Sequence, residues 1–198
     1  RIAGCLDEGV VIENLEDDNL REVIAKNPLG CDSNNTKHGL TENDVYLFPC
    51  GMSAIYNAFR LVRYLKPDNL QKTIQFGFPY TDTLKIQEKF NPNGAIFLSS
   101  GDSKAMDELG EILENKNGGI SAVFCEIPSN PLLKTPNLKE LSKLAKKFDF
   151  ILVVDDTIGN FLNIDAVDYA DVVVSSLTKI FSGDSNVMAG SLVTSPKS

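Results

Sequence analysis

From Val45 onward, short runs of β-branched or aromatic residues alternate with longer segments whose apolar residues recur at helical spacing. Parallel neighbouring strands need a long crossover between them, and that crossover is usually a helix that covers the sheet. Two of the short runs, residues 151–154 and 172–174, are apolar throughout, as burial on both faces of a sheet requires. The alternation therefore predicts a three-layer α/β/α domain built on a mostly parallel sheet.

The expected elements follow this alternation along the chain. We expect strands at residues 45–48, 73–78, 95–98, 122–126, 151–154, 172–175 and 191–194. We expect helices at residues 52–64, 81–90, 104–115 and 138–147. Within residues 1–43, the acidic stretch 13–22 with its apolar neighbours predicts one helix, and a polar loop follows it.

The balance of charge argues against nucleic acid as a partner. The chain has 27 acidic and 19 basic residues, which gives a net charge of −8. A surface of that sign repels a phosphate backbone unless it carries a basic patch, and the densest group of lysines, within residues 139–147, has the spacing of a solvated helix face. No apolar run approaches the roughly 18 residues that span a bilayer, so we expect no membrane partner.

The cysteines indicate a reducing compartment rather than a metal site. The chain has a single histidine, His38, and four cysteines that form no CxxC pair: Cys5, Cys31, Cys50 and Cys125. We therefore expect reduced thiols, no bound metal and a cytoplasmic location. Because the chain begins with Arg1 rather than Met, we expect a segment of a longer protein.

Chemistry is expected where the strands end, because ligands of such sheets bind beyond the carboxyl ends of the strands. Gly51 follows the first strand and opens a helix, whose free N–H groups attract anions, although a single glycine there is more often only a turn. Asp155 follows a buried strand and is by itself a helix cap, a metal ligand or a loop residue. Ser176 and Thr178 follow the sixth strand, and their hydroxyls leave on the same side if the extended conformation persists; Lys179 comes next.

Taken together, these strand ends supply what pyridoxal phosphate needs. The cofactor requires an amine that binds it covalently, a partner for its ring nitrogen and donors for its phosphate. Lys179, Asp155 and the hydroxyl pair with the Gly51 helix start meet these needs. Tyr80 follows the second strand and is placed to stack on the ring, while Asn130 is placed to reach its phenolic oxygen.

At these residues the sequence resembles the pyridoxal-phosphate enzymes of cysteine and methionine metabolism, and within them the fungal cystathionine γ-synthases. The resemblance runs from about Val45 to the last residue and depends on ordered blocks. Residues 48–55 resemble S-G-M-A-A-I, although Pro49 and Cys50 replace small hydroxyl residues. Residues 80–83 resemble Y-G-G-T, 126–132 resemble E-x-P-[ST]-N-P-L, and 153–157 resemble V-V-D-N-T. Residues 176–179 resemble S-[AL]-T-K, and 181–190 resemble a glycine-rich segment that ends D-V-x-A-G.

The resemblance implies roles for the residues at the strand ends. Lys179 would hold the cofactor through its amine and move protons, and Asp155 would keep the ring nitrogen protonated. Tyr80 would stack on the ring, and Asn130 and Thr157 would fix its orientation. The phosphate would be bound by four residues: Gly51, Met52, Ser176 and Thr178. No metal is implied.

The resemblance also implies a fold and a domain organisation. The fold would be that of the large domain of fold-type I, aspartate aminotransferase-like transferases. Residues 1–43 would lead into this domain, and residues 44–198 would form it. The small C-terminal domain that binds the substrate carboxylate, and the N-terminal arm that completes a neighbouring subunit's phosphate site, would lie outside the chain. The whole protein would be a homodimer or homotetramer.

The activity implied is a step of transsulfuration in methionine biosynthesis. Cystathionine would form by γ-replacement on an O-acylated homoserine, with cysteine as the thiol. Sister reactions on the same cofactor site, sulfhydrylation of O-acetylhomoserine and β- or γ-cleavage of cystathionine, remain alternatives, as does a non-catalytic doubly wound module that binds a phosphate or nucleotide. The sequence departs from the family pattern in ways that bear on the substrate rather than the cofactor, at Asp156, Ser175, Asp184 and Asn186.

Overall fold

The computed structural model describes residues 39–67, 71–115 and 119–196. The helix expected within residues 1–43 lies outside this range, and so do Cys5, Cys31 and His38. Within the range, Cys50 and Cys125 are free thiols. No helix of the described residues is long and apolar enough to cross a membrane.

The described chain contains every strand and helix expected from Val45 onward. The strands are β1 (Val45–Phe48), β2 (Lys72–Phe76), β3 (Ala95–Leu98), β4 (Ile120–Glu126), β5 (Ile151–Asp155), β6 (Val172–Ser176) and β7 (Gly190–Thr194). The α-helices are α1 (Gly51–Leu65), α2 (Thr81–Phe90), α3 (Ser103–Glu114) and α4 (Leu138–Phe148), and a 3-10 turn, Glu42–Asp44, precedes β1.

The second strand ends earlier than the sequence predicted. It ends at Phe76 rather than at residue 78, because Gly77 adopts a φ of +78°, a left-handed conformation that an extended strand cannot continue. At Gly77 the chain approaches Gly101 so closely that a side-chain carbon on Gly101 would lie 2.9 Å from the Gly77 Cα. The pair of glycines therefore closes this end of the strand.

All seven strands of the described residues belong to one sheet, in the order β1-β7-β6-β5-β4-β2-β3. Strands β6, β5, β4, β2 and β3 are parallel, whereas β7 is antiparallel to both β6 and β1. Strand β1 therefore runs in the same direction as the parallel strands. The carboxyl ends of β1, β4, β5 and β6 consequently lie along one edge of the sheet, where a ligand site is expected.

Helices cover both faces of the sheet and produce two hydrophobic cores. One core joins α1 and α2 to alternate residues of the central strands, such as Phe124, Val153 and Val174. The other core joins α3 and α4 to the intervening residues, such as Val123, Leu152 and Val173. The alternation places Asp155 and Ser176 on the α1 face and Asp156 and Ser175 on the opposite face.

Candidate functional site

A cavity of about 720 Å³ opens at the carboxyl ends of the strands. Its walls come from the ends of β4, β5 and β6, the start of α1 and the turn after β6. All nine residues that the sequence assigned to the cofactor line it: Gly51, Met52, Tyr80, Asn130, Asp155, Thr157, Ser176, Thr178 and Lys179. The sequence thus predicted which residues come together, and their individual roles stay predictions.

The start of helix α1 packs directly against the end of β6. A side-chain carbon on Gly51 would lie 2.7 Å from the Cβ of Ser176, a distance that real Cβ atoms do not show. Cys50 occupies the N-cap position of α1, and its side chain makes no capping hydrogen bond. The first N–H groups of α1 therefore remain available beside the Ser176 hydroxyl. Together, these N–H groups and the hydroxyl favour an anion site over a simple glycine turn.

Hydrogen bonds join the ends of β5 and β6 and hold the Asp155 carboxylate in place. The backbone N–H of Ser176 donates to the Thr157 hydroxyl oxygen at 2.8 Å, and that hydroxyl donates to Asp155 Oδ1 at 2.6 Å. The Thr157 backbone N–H also donates to Oδ1, at 3.0 Å. Thr157 thus orients Asp155 in this structure, and Oδ2 accepts no hydrogen bond from the described residues.

The environment of Asp155 is one that a cation would stabilise. Burial raises the pKa of this carboxyl above its usual range, and the hydrogen bonds from Thr157 lower it in part. A protonated ring nitrogen that paired with Asp155 would favour the charged form and oppose the effect of burial. The site is therefore suited to a cationic ring, and without one the buried charge of the Asp155 carboxylate is destabilised.

The turn after β6 presents Lys179 to the cavity. Leu177 is buried in the core, whereas Lys179 is exposed, and the Lys179 N–H donates to the Ser176 carbonyl at 3.2 Å. The chain leaves the extended conformation after Ser176, so the argument that the hydroxyls of Ser176 and Thr178 leave on the same side does not hold. The Thr178 hydroxyl instead accepts the Ala189 N–H at 3.1 Å, which ties the turn to the start of β7.

Glu126 lines the same cavity, although no sequence pattern predicted a role for it. It is the last residue of β4 and pairs in register with Asp155 on the neighbouring strand. Its carboxyl oxygen Oε1 accepts a short hydrogen bond from the Tyr80 backbone N–H. Burial and the nearby Asp155 raise the pKa of Glu126 to about 7, while the backbone N–H groups of Tyr80 and Asn130 act in the opposite direction.

Asp156 lies outside the cavity, on the other face of the sheet, and is fully buried. Its Oδ2 accepts the Phe161 N–H at 2.8 Å, whereas its Oδ1 has no hydrogen-bond partner among the described residues. A side-chain carbon on Gly159 would overlap that Oδ1, so glycine alone fits there. Burial raises the pKa of Asp156 to about 7.

The residues present fit pyridoxal phosphate. The cavity has the volume of a small-molecule site, with an anion-binding end at Gly51 and Ser176, an oriented carboxylate at Asp155 and a primary amine at Lys179. The binding-module alternative does not require an amine and a carboxylate in one cavity. Their presence on the same walls therefore favours the cofactor over a simple phosphate ligand.

Comparison with protein families gives a match over residues 38–198 to the Cys/Met metabolism PLP-dependent enzymes. Cystathionine gamma-synthase of Neurospora crassa is 50% identical over 171 residues, which cover 84% of this chain and 27% of that protein. Cystathionine gamma-synthase of Saccharomyces cerevisiae is 49% identical over 177 residues, which cover 81% of this chain and 27% of that protein. The chain thus spans about a quarter of the length of these relatives.

A solved structure described as a cystathione gamma lyase from Micromonospora echinospora shares the fold. It is 25% identical, with a TM-score of 0.64, and the match covers 76% of this chain and 38% of that one. The fold class predicted from the sequence is therefore confirmed, and so are the resemblance to the family and the cofactor.

Proposed function

Since the chain belongs to the Cys/Met metabolism PLP-dependent enzymes, we propose that the protein containing it forms cystathionine by γ-replacement. The substrates would be an O-acylhomoserine and cysteine. The Cγ–O bond breaks, the cysteine sulfur bonds to Cγ, and the acyl group leaves as a carboxylic acid that carries the thiol proton. Identities of 50% and 49% to two fungal cystathionine gamma-synthases support this choice.

One observation carries the proposal: Lys179 and Asp155 line the same cavity as the start of α1. Pyridoxal phosphate supplies, when bound, a ring that accepts the electrons of the substrate α-carbon. Lys179 would hold the cofactor through Nζ and, once the substrate replaces it, take the proton from the α-carbon. Asp155, held by Thr157, would keep a proton on the ring nitrogen.

The other end of the cavity would bind the phosphate. The backbone N–H groups of Gly51 and Met52 lie at the positive end of the α1 dipole, and the Ser176 hydroxyl is adjacent to them. Thr178 is held at the cavity wall through its hydrogen bond with Ala189. These groups would bind the phosphate through backbone N–H groups and hydroxyls.

A lyase of the same family is the second candidate, because a described cystathione gamma lyase shares 25% identity and the fold. Both reactions begin with removal of the α-proton by the same lysine. An assay of the whole protein with O-acylhomoserine and cysteine, set against cystathionine alone, separates the two. Cystathionine formation supports the proposal, and cleavage of cystathionine without its formation would replace synthase by lyase.

The identity of the cofactor lysine is tested by borohydride reduction of the holoprotein followed by peptide mapping. We expect the pyridoxyl label on Lys179, and Lys179→Ala should lose both the label and turnover. Lys139→Ala, at an exposed position of α4, is the matched control and should retain both. Label on another lysine would contradict the assignment.

The domain organisation and assembly belong to the same proposal. Residues 1–43 would lead into a cofactor domain formed by residues 44–198, and the whole protein would be a homodimer or homotetramer. Large apolar side chains at the surface support subunit contacts, for example Leu47 at 69% and Leu133 at 67% exposure.

The free thiols of Cys50 and Cys125 support a cytoplasmic location. Light scattering of the purified protein and imaging of a fluorescent fusion test these two points.

A further inference from the structure

We infer that Glu126 is a positioning residue of the cofactor site, whose carboxyl group holds the backbone at Tyr80 and at Asn130 together. These are the residues expected to stack on the ring and to reach its phenolic oxygen, so the inference deepens the proposed function and rests on it. Glu126 itself would touch neither the substrate nor the reacting atoms.

The geometry that carries this inference is the convergence of two loops on one side chain. Tyr80 lies between β2 and α2, where it is the N-cap residue of α2. Asn130 lies between β4 and α4. The Tyr80 N–H donates to Glu126 Oε1, and the Asn130 N–H is near enough to the same carboxyl group to lower its pKa. A single group at the end of β4 therefore connects two loops that approach the cavity from different parts of the chain.

The Tyr80 loop depends on this contact for its position. The Tyr80 side chain is 53% exposed, so packing does not fix it. The Tyr80 carbonyl accepts the Thr83 N–H at 3.0 Å, a bond that forms the first turn of α2 but does not tie it to the sheet. The bond from the Tyr80 N–H to Glu126 ties Tyr80 itself to the end of β4, and it holds the backbone from which the aromatic ring projects.

A carboxyl group is an expensive choice for this position, which argues for a specific purpose. Glu126 is buried and pairs in register with Asp155, so two acidic groups lie side by side on neighbouring strands. An apolar side chain would avoid both the desolvation and the repulsion. What an apolar side chain cannot do is accept the Tyr80 N–H and at the same time attract the Asn130 N–H.

Hydrogen exchange of the cofactor-free whole protein tests the inference directly. In Glu126→Ala we expect the exchange rates of the Tyr80 and Asn130 amides to rise together. At Tyr80 the rise should be on the order of tenfold, because the loss of one hydrogen bond of ordinary net strength changes the exchange rate by about that factor. Glu126→Gln keeps the Oε1 acceptor and should preserve protection at the Tyr80 amide. Glu111→Gln, at an exposed position of α3, is the matched control and should change neither.

Titration with pyridoxal phosphate, followed by absorbance, links the contact to the site. We expect Glu126→Ala to weaken cofactor binding on the order of tenfold and Glu126→Gln to restore most of that loss. The inference is overturned if exchange at either amide is unchanged in Glu126→Ala, or if the Tyr80 amide exchanges as fast in Glu126→Gln as in Glu126→Ala. A wild-type protein that binds no cofactor would refute the proposed function, while the exchange data would still decide the role of Glu126.

Discussion

Replacing Asp156 by asparagine should make the protein less sensitive to alkaline pH. Asp156 is fully buried, and burial raises its pKa to about 7. An asparagine side-chain oxygen can still accept the Phe161 N–H that Oδ2 accepts at 2.8 Å. The substitution therefore removes an ionisable group from the core and leaves the hydrogen bond that organises residues 156–161.

The magnitude follows from the difference between the folded and unfolded pKa of this carboxyl group. The folded value is about 7, and an unperturbed Asp has a pKa of about 3.9. Between these values the folded state holds a proton that the unfolded state has lost. The stability contributed by this group is therefore complete below about pH 4 and falls as pH rises, by about 1.4 kcal/mol per pH unit. Above about pH 7 the loss levels off at about 4 kcal/mol.

Urea unfolding at about pH 5 and about pH 8, followed by circular dichroism, measures this effect. Between about pH 5 and about pH 8, the unfolding free energy of Asp156→Asn should rise by about 3 kcal/mol relative to that of the wild type. The reason is that Asp156 in the wild type loses stability over the roughly two pH units from pH 5 to its folded pKa of about 7. Other buried carboxyl groups, such as Glu126, contribute equally to both proteins and cancel in the difference. Asp107→Asn, at an exposed position of α3, should show no such gain. An equal difference at both pH values would refute the reasoning, since it would mean that Asp156 is ionised in the folded protein.

Two further predictions concern the cavity. Asp155→Ala should reduce turnover by several powers of ten but weaken cofactor binding much less, since a charge-assisted hydrogen bond contributes only about 1.5–3 kcal/mol. Steady-state kinetics measure the turnover and cofactor titration measures the binding. Near-normal turnover would show that Asp155 is structural. Gly51→Ala should lower the unfolding free energy by about 1–3 kcal/mol and weaken cofactor binding, because the added carbon would lie 2.7 Å from the Ser176 Cβ. Gly110→Ala in α3, where an added carbon meets nothing within 4 Å, is its control and should be neutral or stabilising; equal effects of the two in urea unfolding would contradict the packing argument.

The four residues that depart from the family pattern lie in two different parts of the fold. Asp156 and Ser175 are buried on the sheet face away from the cavity, so neither contacts a ligand there. Asp184 and Asn186 lie at the surface after the Lys179 turn, and only their neighbours Gly183 and Ser185 line the cavity. None of these four residues lines the cavity, and the expectation that they bear on the substrate rather than the cofactor stays a prediction.

The amino-acid sequence alone determined the fold class, the order of the elements from Val45 onward and nine of the residues that line the cavity. The reason is physical: hydrophobic periodicity reports whether each segment is covered on one face or two, and parallel strands must bring their carboxyl ends to one edge. Lys179, Asp155 and Ser176 could be placed together from that rule without any coordinates. The small errors in strand ends arose where local backbone geometry decided the boundary, as at Gly77.

Only the tertiary structure decided which groups contact one another across the sheet. The pairing of Glu126 with Asp155 depends on strand register, and the path from Ser176 through Thr157 to Asp155 Oδ1 depends on strand order. Register and order are set by contacts between residues far apart in the chain, which periodicity does not report. The same holds for charge, since Asp156 differs from any other aspartate after a strand only because the packed core removes it from water.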